Sequence, residues 1–168
     1  MRQHYLPLAC CQMALVRGTT DVIGQCVQRA DDAPLAALMS LDASHTLAMM
    51  TVGLLSGGGG AIWLRHLESQ LGSCTRPSSV AKKAALDFLC WGPTSITASL
   101  VLVPLLTGAT LDASLASATE GLPLLMLYEL FIFGPYNLIG FTLVPPEARP
   151  TVKGFCSFVF ALVLSFHV

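Results

Sequence analysis

Arg17 and Asp21 lie four residues apart, so a helix sets them on one face, with Gln25 one further turn along it. The surrounding sequence is apolar, which makes both charges costly unless they face protein or water. Two readings stay open: a polar lining for a solute path, or an ion pair that satisfies itself and ties helices together. Asp87 poses the same question with Lys83 one turn before it, where a local pair at a membrane interface is the simpler account. Glu129 has no basic residue within a turn. It must be protonated, bonded to a hydroxyl on another helix, or lining water. Asn137 adds an amide further along the same stretch.

These groups point to binding and passage rather than to bond-making. His4, His45, His66 and His167 are scattered without matched partners, and no Ser or Cys nucleophile sits in a recognisable motif. Residues 57–60 are all glycine, yet no Lys-Ser or Lys-Thr follows them, so they make no phosphate loop. Cys10, Cys11, Cys26, Cys74, Cys90 and Cys156 form no C-x-x-C pair. Most lie in apolar stretches, as small buried hydrophobes do in a reducing setting. No catalytic residue, cofactor or metal is expected, and an enzyme is the least supported class.

Composition says what must position these residues. The chain has 168 residues, of which 54% are hydrophobic and 11% charged, whereas soluble domains carry about 25% charged residues. Nine Lys and Arg with ten Asp and Glu cannot cover a water-facing surface of this size. The expected fold is therefore all-α, a single integral membrane bundle over residues 1–168 with about four transmembrane helices. The lipid bilayer is its first partner. No basic stripe exists to support nucleic-acid binding.

Four spans are predicted, at residues 5–28, 46–64, 84–106 and 122–144, the first weakest because it carries Arg17 and Asp21. A polar linker at 29–34 and a turn at 72–79 separate them. Residues 111–121 predict a short surface helix, with Pro123 near the start of the next and Gly134-Pro135 kinking it. Residues 151–168 continue the fourth span, lie at the interface, or cross as a fifth. Gly53 and Gly57 form a G-x-x-x-G, and with Gly60 they predict close helix packing. Trp63 beside Arg65 reads as an interface anchor, and Trp91 before Gly92-Pro93 as a ring packed inside the bundle near a kink.

Alternating crossings put Arg2, Arg65, Arg76, Lys82, Lys83, Arg149 and Lys153 on one side, with Arg29 on the other. The positive-inside rule makes the basic side the cytosol-like or matrix-like face. The first residues lack a cleavable signal peptide pattern.

The order of several blocks resembles the Mpv-seventeen and PMP-twenty-two family of mitochondrial inner-membrane and peroxisomal membrane proteins. That family carries N-F-x-x-V-P, an Arg four residues later, and then W-x-x-x-L-S. Phe141, Val144, Pro145, Arg149, Leu164 and Ser165 match at those spacings, with Gly140 for the Asn and Phe160 for the Trp. Lys83, Asp87 and Pro93 fit K-x-x-x-D-Q with its following Pro, with Phe88 for the Gln. Asp21 and Gln25 fit G-D-x-x-x-Q, with Thr20 for the Gly. Gly57 and Trp63 fit G-P-x-x-H-x-W-Y, and Phe133 to Asn137 stands where the family has W-P-x-x-Q. The resemblance implies a four-span organelle membrane protein, in the mitochondrial inner membrane or alternatively the peroxisomal one. It also implies channel-like passage of small solutes, with Asp21, Gln25, Asp87 and Arg149 as the functional positions.

Two functions follow as expectations. In the first, small water-soluble solutes pass along Arg17, Asp21, Gln25, Asp87, Glu129 and Asn137. In the second, the protein is a non-transporting scaffold whose Gly53 and Gly57 face holds other membrane proteins or further copies of itself.

Overall fold

In lipid a backbone must satisfy its own hydrogen bonds, and the regular elements of this chain are all helical among the described residues. The computed structural model describes residues 5–29, 40–72, 76–145 and 148–165. Helix α1 is Tyr5–Gln28 and α2 is Ala43–Leu71. Pro77–Leu86 is α3, and it runs through a π-helical turn, Asp87–Trp91, into α4, Gly92–Leu106. Leu111–Leu143 is α5 and Arg149–Ser165 is α6. The protein is an all-helical membrane bundle: Ala43–Leu71, Pro77–Leu106 and Leu111–Leu143 are each long and apolar enough to cross a membrane. Large apolar side chains cover its outside, with Phe131 69% and Leu143 76% exposed.

Local chemistry sets the ends. Asp42 caps α2 by accepting from the Ser44 and His45 amides. The Ser44 hydroxyl and the His45 amide also hold its carboxylate below the usual range. Pro77 opens α3 where a missing N–H costs nothing. Thr110 caps α5, its hydroxyl accepting from the Ala113 amide at 3.3 Å. Gly108 takes φ 100 in the reversal between α4 and α5, a conformation that other residues rarely adopt.

Several sequence expectations change. The predicted span 46–64 lies within a longer helix, and glycines 57–60 do not break it. The separate surface helix at 111–121 does not exist: α5 runs unbroken through Pro123 and Pro135. Burial of Ser114 and Ala118 holds its first turns in helix against the cost of the first proline. At about 1.5 Å per residue, its 33 residues exceed the hydrocarbon thickness. Span 84–106 holds the π turn, because Pro93 has no N–H to offer Leu89. Instead the Gly92 amide reaches back five residues to the Asp87 carbonyl. The segment at 151–168 becomes α6, a member of the bundle packed on α1 and α5, with the Phe160 ring 5.7 Å from that of Phe133 and Leu164 sealed from solvent. Its stretch Val152–Leu164 is apolar but short for a crossing, and α1 is not among the helices apolar enough to cross. Arg2, His4, Asp31, Asp32, Cys74, Pro146 and His167 lie outside the described residues.

The glycines explain the tightest packing. A Cβ on Gly53 would stand 2.6 Å from the Met13 carbonyl oxygen, and one on Gly57 would meet that of Ala9 even more closely. So α1 and α2 touch through backbone. Gly59 and Gly60 serve a different neighbour, the Trp91 ring, which sits 2.6 Å from where a Gly59 Cβ would be. That contact places Trp91 inside the bundle, as expected. Replacing Gly53 or Gly57 by Ala should therefore cost about 1–3 kcal/mol each through overpacking. Unfolding of the detergent-solubilised protein checks this, and an unchanged midpoint for both would remove the close-approach account.

Candidate functional site

Buried and half-buried polar residues form a column through the bundle. Their positions along α2, from His45 past Ser56 and Trp63 to Glu68, span about 35 Å at the helical rise.

The basic end is built on Glu68. Lys83 Nζ donates to Glu68 Oε1 at 2.9 Å and to the Gly72 carbonyl at 2.5 Å. Arg149 bonds the same Glu68 oxygen. Its Nε donates to the carbonyls of Gly140 and Val144 at 3.2 and 3.0 Å, and its Nη2 to that of Phe141 at 3.3 Å. Arg149 thus closes the carbonyl end of α5, where cations are favoured. The Phe141 ring lies 5.2 Å from its guanidinium carbon and 5.8 Å from the Lys83 ammonium. Val144 and Pro145 form the exit from α5 beside it.

One layer deeper, Asp87 gathers donors from separate helices. Trp63 Nε1 reaches its Oδ1 at 3.1 Å, while Asn137 Nδ2 and Lys153 Nζ reach its Oδ2 at 2.8 and 2.7 Å. The expected Lys83–Asp87 pair is therefore wrong. A helical side chain leans towards its own N-terminus, which carries Lys83 to the carbonyl end of α2 instead. A base preceding an acid is also the poorer helical order. Trp63 is correspondingly a hydrogen-bond donor to a carboxylate rather than a free interface anchor.

The far end centres on Asp21, which is 1% exposed. It takes His45 Nδ1 at 2.8 Å, Thr46 Oγ1 at 2.6 Å and Gln25 Nε2 at 2.8 Å. Gln25 Oε1 in turn accepts from the Asp42 amide at 2.7 Å. His45 is thus partnered, contrary to the sequence reading. Arg17 and Asp21 do not pair, for the same directional reason. Arg17 Nη1 donates to Ser99 Oγ on α4 at 2.7 Å, and the Ser99 hydroxyl donates in turn to the Ser95 carbonyl at 2.8 Å.

Between these ends lies a cavity of about 70 Å³, with Arg17, Glu129, Lys153, Ser56, Ser95 and Ser157 on its polar side and Trp91 and Phe133 on its apolar side. Gly57 and Gly60 also line it, so the packing glycines leave room here. Glu129 is 5% exposed. Among the described residues it has no direct hydrogen bond or ion pair, although the charges of Arg17 and Lys153 act on it. No fully sealed polar atom there lacks a partner, so the Glu129 oxygens open onto the cavity.

Sequence reasoning picked Arg17, Asp21, Gln25, Asp87, Glu129 and Asn137, and all six enter this column. It missed Glu68, Ser99 and Lys153 as partners. Lys153 had a signal, one turn after Arg149 on the same helix face. Among the described residues no cluster of His, Cys, Asp and Glu could hold a metal. Comparison of the chain with protein-family models, curated proteins and solved structures gives no match.

The Asp87–Lys153 contact ties the π turn to α6 with little water at hand, so removing either partner strands a buried charge. Asp87→Ala or Lys153→Ala alone should cost about 3 kcal/mol, and the double change clearly less than the sum. Denaturation of the four proteins in one detergent tests it, and strict additivity would show that the pair is not coupled.

Proposed function

We propose that this membrane protein forms a path for small water-soluble solutes. The observation that carries the reading is the cavity midway along the column, lined by Arg17, Glu129 and Lys153, where an apolar fill would have been cheaper. Ionisable groups in such a position replace part of a solute's hydration shell. The serines add neutral acceptors, since each hydroxyl already donates to a carbonyl of its own helix, and Arg17 biases the path towards negatively charged groups. Asp21 with Gln25 and Asp87 with Asn137 flank the cavity towards its two ends and hold the helices that frame it. The resemblance described above supports the mitochondrial inner membrane as the location, with the peroxisomal membrane as the alternative.

The reading of a non-transporting scaffold has one observation in its favour. Glu68, Asp87 and Asp21 are all tied to donors on neighbouring helices, as structural ions are. Its expected docking face is gone, however, because α1 already covers Gly53 and Gly57. A scaffold would have to recruit partners through another surface.

Liposomes containing the purified protein should release solutes the size of glycerol faster than empty ones. Ser95→Leu, which places a side chain in the cavity, should slow that release about tenfold while leaving the unfolding midpoint nearly unchanged. Vesicles that stay tight around correctly folded protein would end the conduit reading and leave the scaffold.

A further inference from the structure

Among the described residues Asp21, Asp87 and Glu129 are buried carboxylates and Glu68 is a half-buried one, and of these only Glu129 has no hydrogen bond or ion pair. Glu68 meets Lys83 and Arg149, Asp87 meets three donors, and Asp21 meets three more. Glu129 meets none directly, though it is as buried as Arg149. A buried carboxylate without a donor is costly, and the Glu129 oxygens open onto the cavity, so whatever occupies that space must supply the donor. Arg17 shows the opposite lack in the same cavity. Among the described residues its guanidinium donates to a neutral hydroxyl, that of Ser99, and forms no ion pair with a carboxylate. A guanidinium is shaped to take a carboxylate through paired donors. The charge of Lys153 is already balanced by Asp87 at 2.7 Å, which leaves Arg17 as the cavity cation without a carboxylate.

We propose that the cavity is a binding site for a small zwitterion of the amino-acid class, its carboxylate on Arg17 and its ammonium on Glu129. The inference rests on the conduit reading and names the solute class that the path would favour. Size limits the class further. The cavity of about 70 Å³ corresponds to about five water-sized groups, the bulk of an amino acid with little or no side chain. Gly92, the first residue of α4, lies against the Glu129 carboxylate, with 3.5 Å from the position of a Cβ to Oε1. Serine hydroxyls from three helices accept the remaining hydrogen bonds.

The test is equilibrium binding to the purified full chain in detergent, with glycine, β-alanine, acetate and methylammonium as probes. Glycine or β-alanine should bind at least about tenfold more tightly than either single-charge half. Glu129→Gln should weaken glycine by about tenfold and leave acetate unaffected, while Glu120→Gln, exposed on the same helix, should change neither. Equal binding of glycine and acetate, or no binding of any probe, overturns the inference. If Glu129→Gln does not fold, the comparison of probes on the unmodified protein still decides. Glycerol release from liposomes without a preference for glycine keeps the conduit and removes this site. Glycine binding in vesicles that remain tight keeps the site and removes the conduit.

Discussion

An ionised side chain held away from water must be met by opposite charge or by hydrogen-bond donors, and that requirement organises this bundle. Asp87 is the clearest case. It sits on the π turn and draws one donor each from α2, α5 and α6. Moving any of those helices would break a bond to a carboxylate that water cannot reach. Glu68 does the same among α2, α3 and α6. Asp21 fastens the far ends of α1 and α2. In lipid the hydrophobic effect gives helices little reason to associate, so such contacts and close packing carry specificity.

Close packing supplies the other half. Gly53 and Gly57 bring the α1 backbone onto α2, which keeps Arg17 and Asp21 buried while Leu8, Leu15 and Val27 of the same helix stay exposed. That position makes Arg17 tolerable, because its guanidinium then points to Ser99 and the cavity. Pro93 contributes indirectly. By denying an N–H to the preceding turn it sets the π register, and the Trp91 ring then packs against Gly59 and Gly60. Glycines and proline therefore shape the void that the charges line.

The sequence was informative where composition and periodicity dominate. A charged fraction of 11% announced a lipid-facing exterior, and the limits of α1 matched residues 5–28. Arg17, Asp21, Asp87, Glu129 and Asn137, the polar residues that stand out within apolar runs, also proved to be buried. Partnerships were not legible. Helical spacing suggested Arg17 with Asp21 and Lys83 with Asp87, yet every one of these four found its partner on another element. Local spacing can only nominate neighbours on the same helix, whereas Lys83 and Glu68 meet through a chain reversal. Pro123 misled for a related reason: its local cost is real, but burial of Ser114 and Ala118 along the neighbouring turns outweighs it.

Arg149 and Lys153 have an implication for how the molecule is made. Both lie near the end of the described chain, and both neutralise acids encoded far upstream, Glu68 and Asp87. During synthesis Asp87 emerges long before its cation, and Glu68 has only Lys83 until Arg149 follows. Until α6 docks, Asp87 lacks its ammonium and α5 keeps uncapped carbonyls. The last helix therefore acts as a keystone: the earlier helices remain an electrically unfinished assembly until it is inserted, and a chain truncated before it would hold bare charge in the membrane.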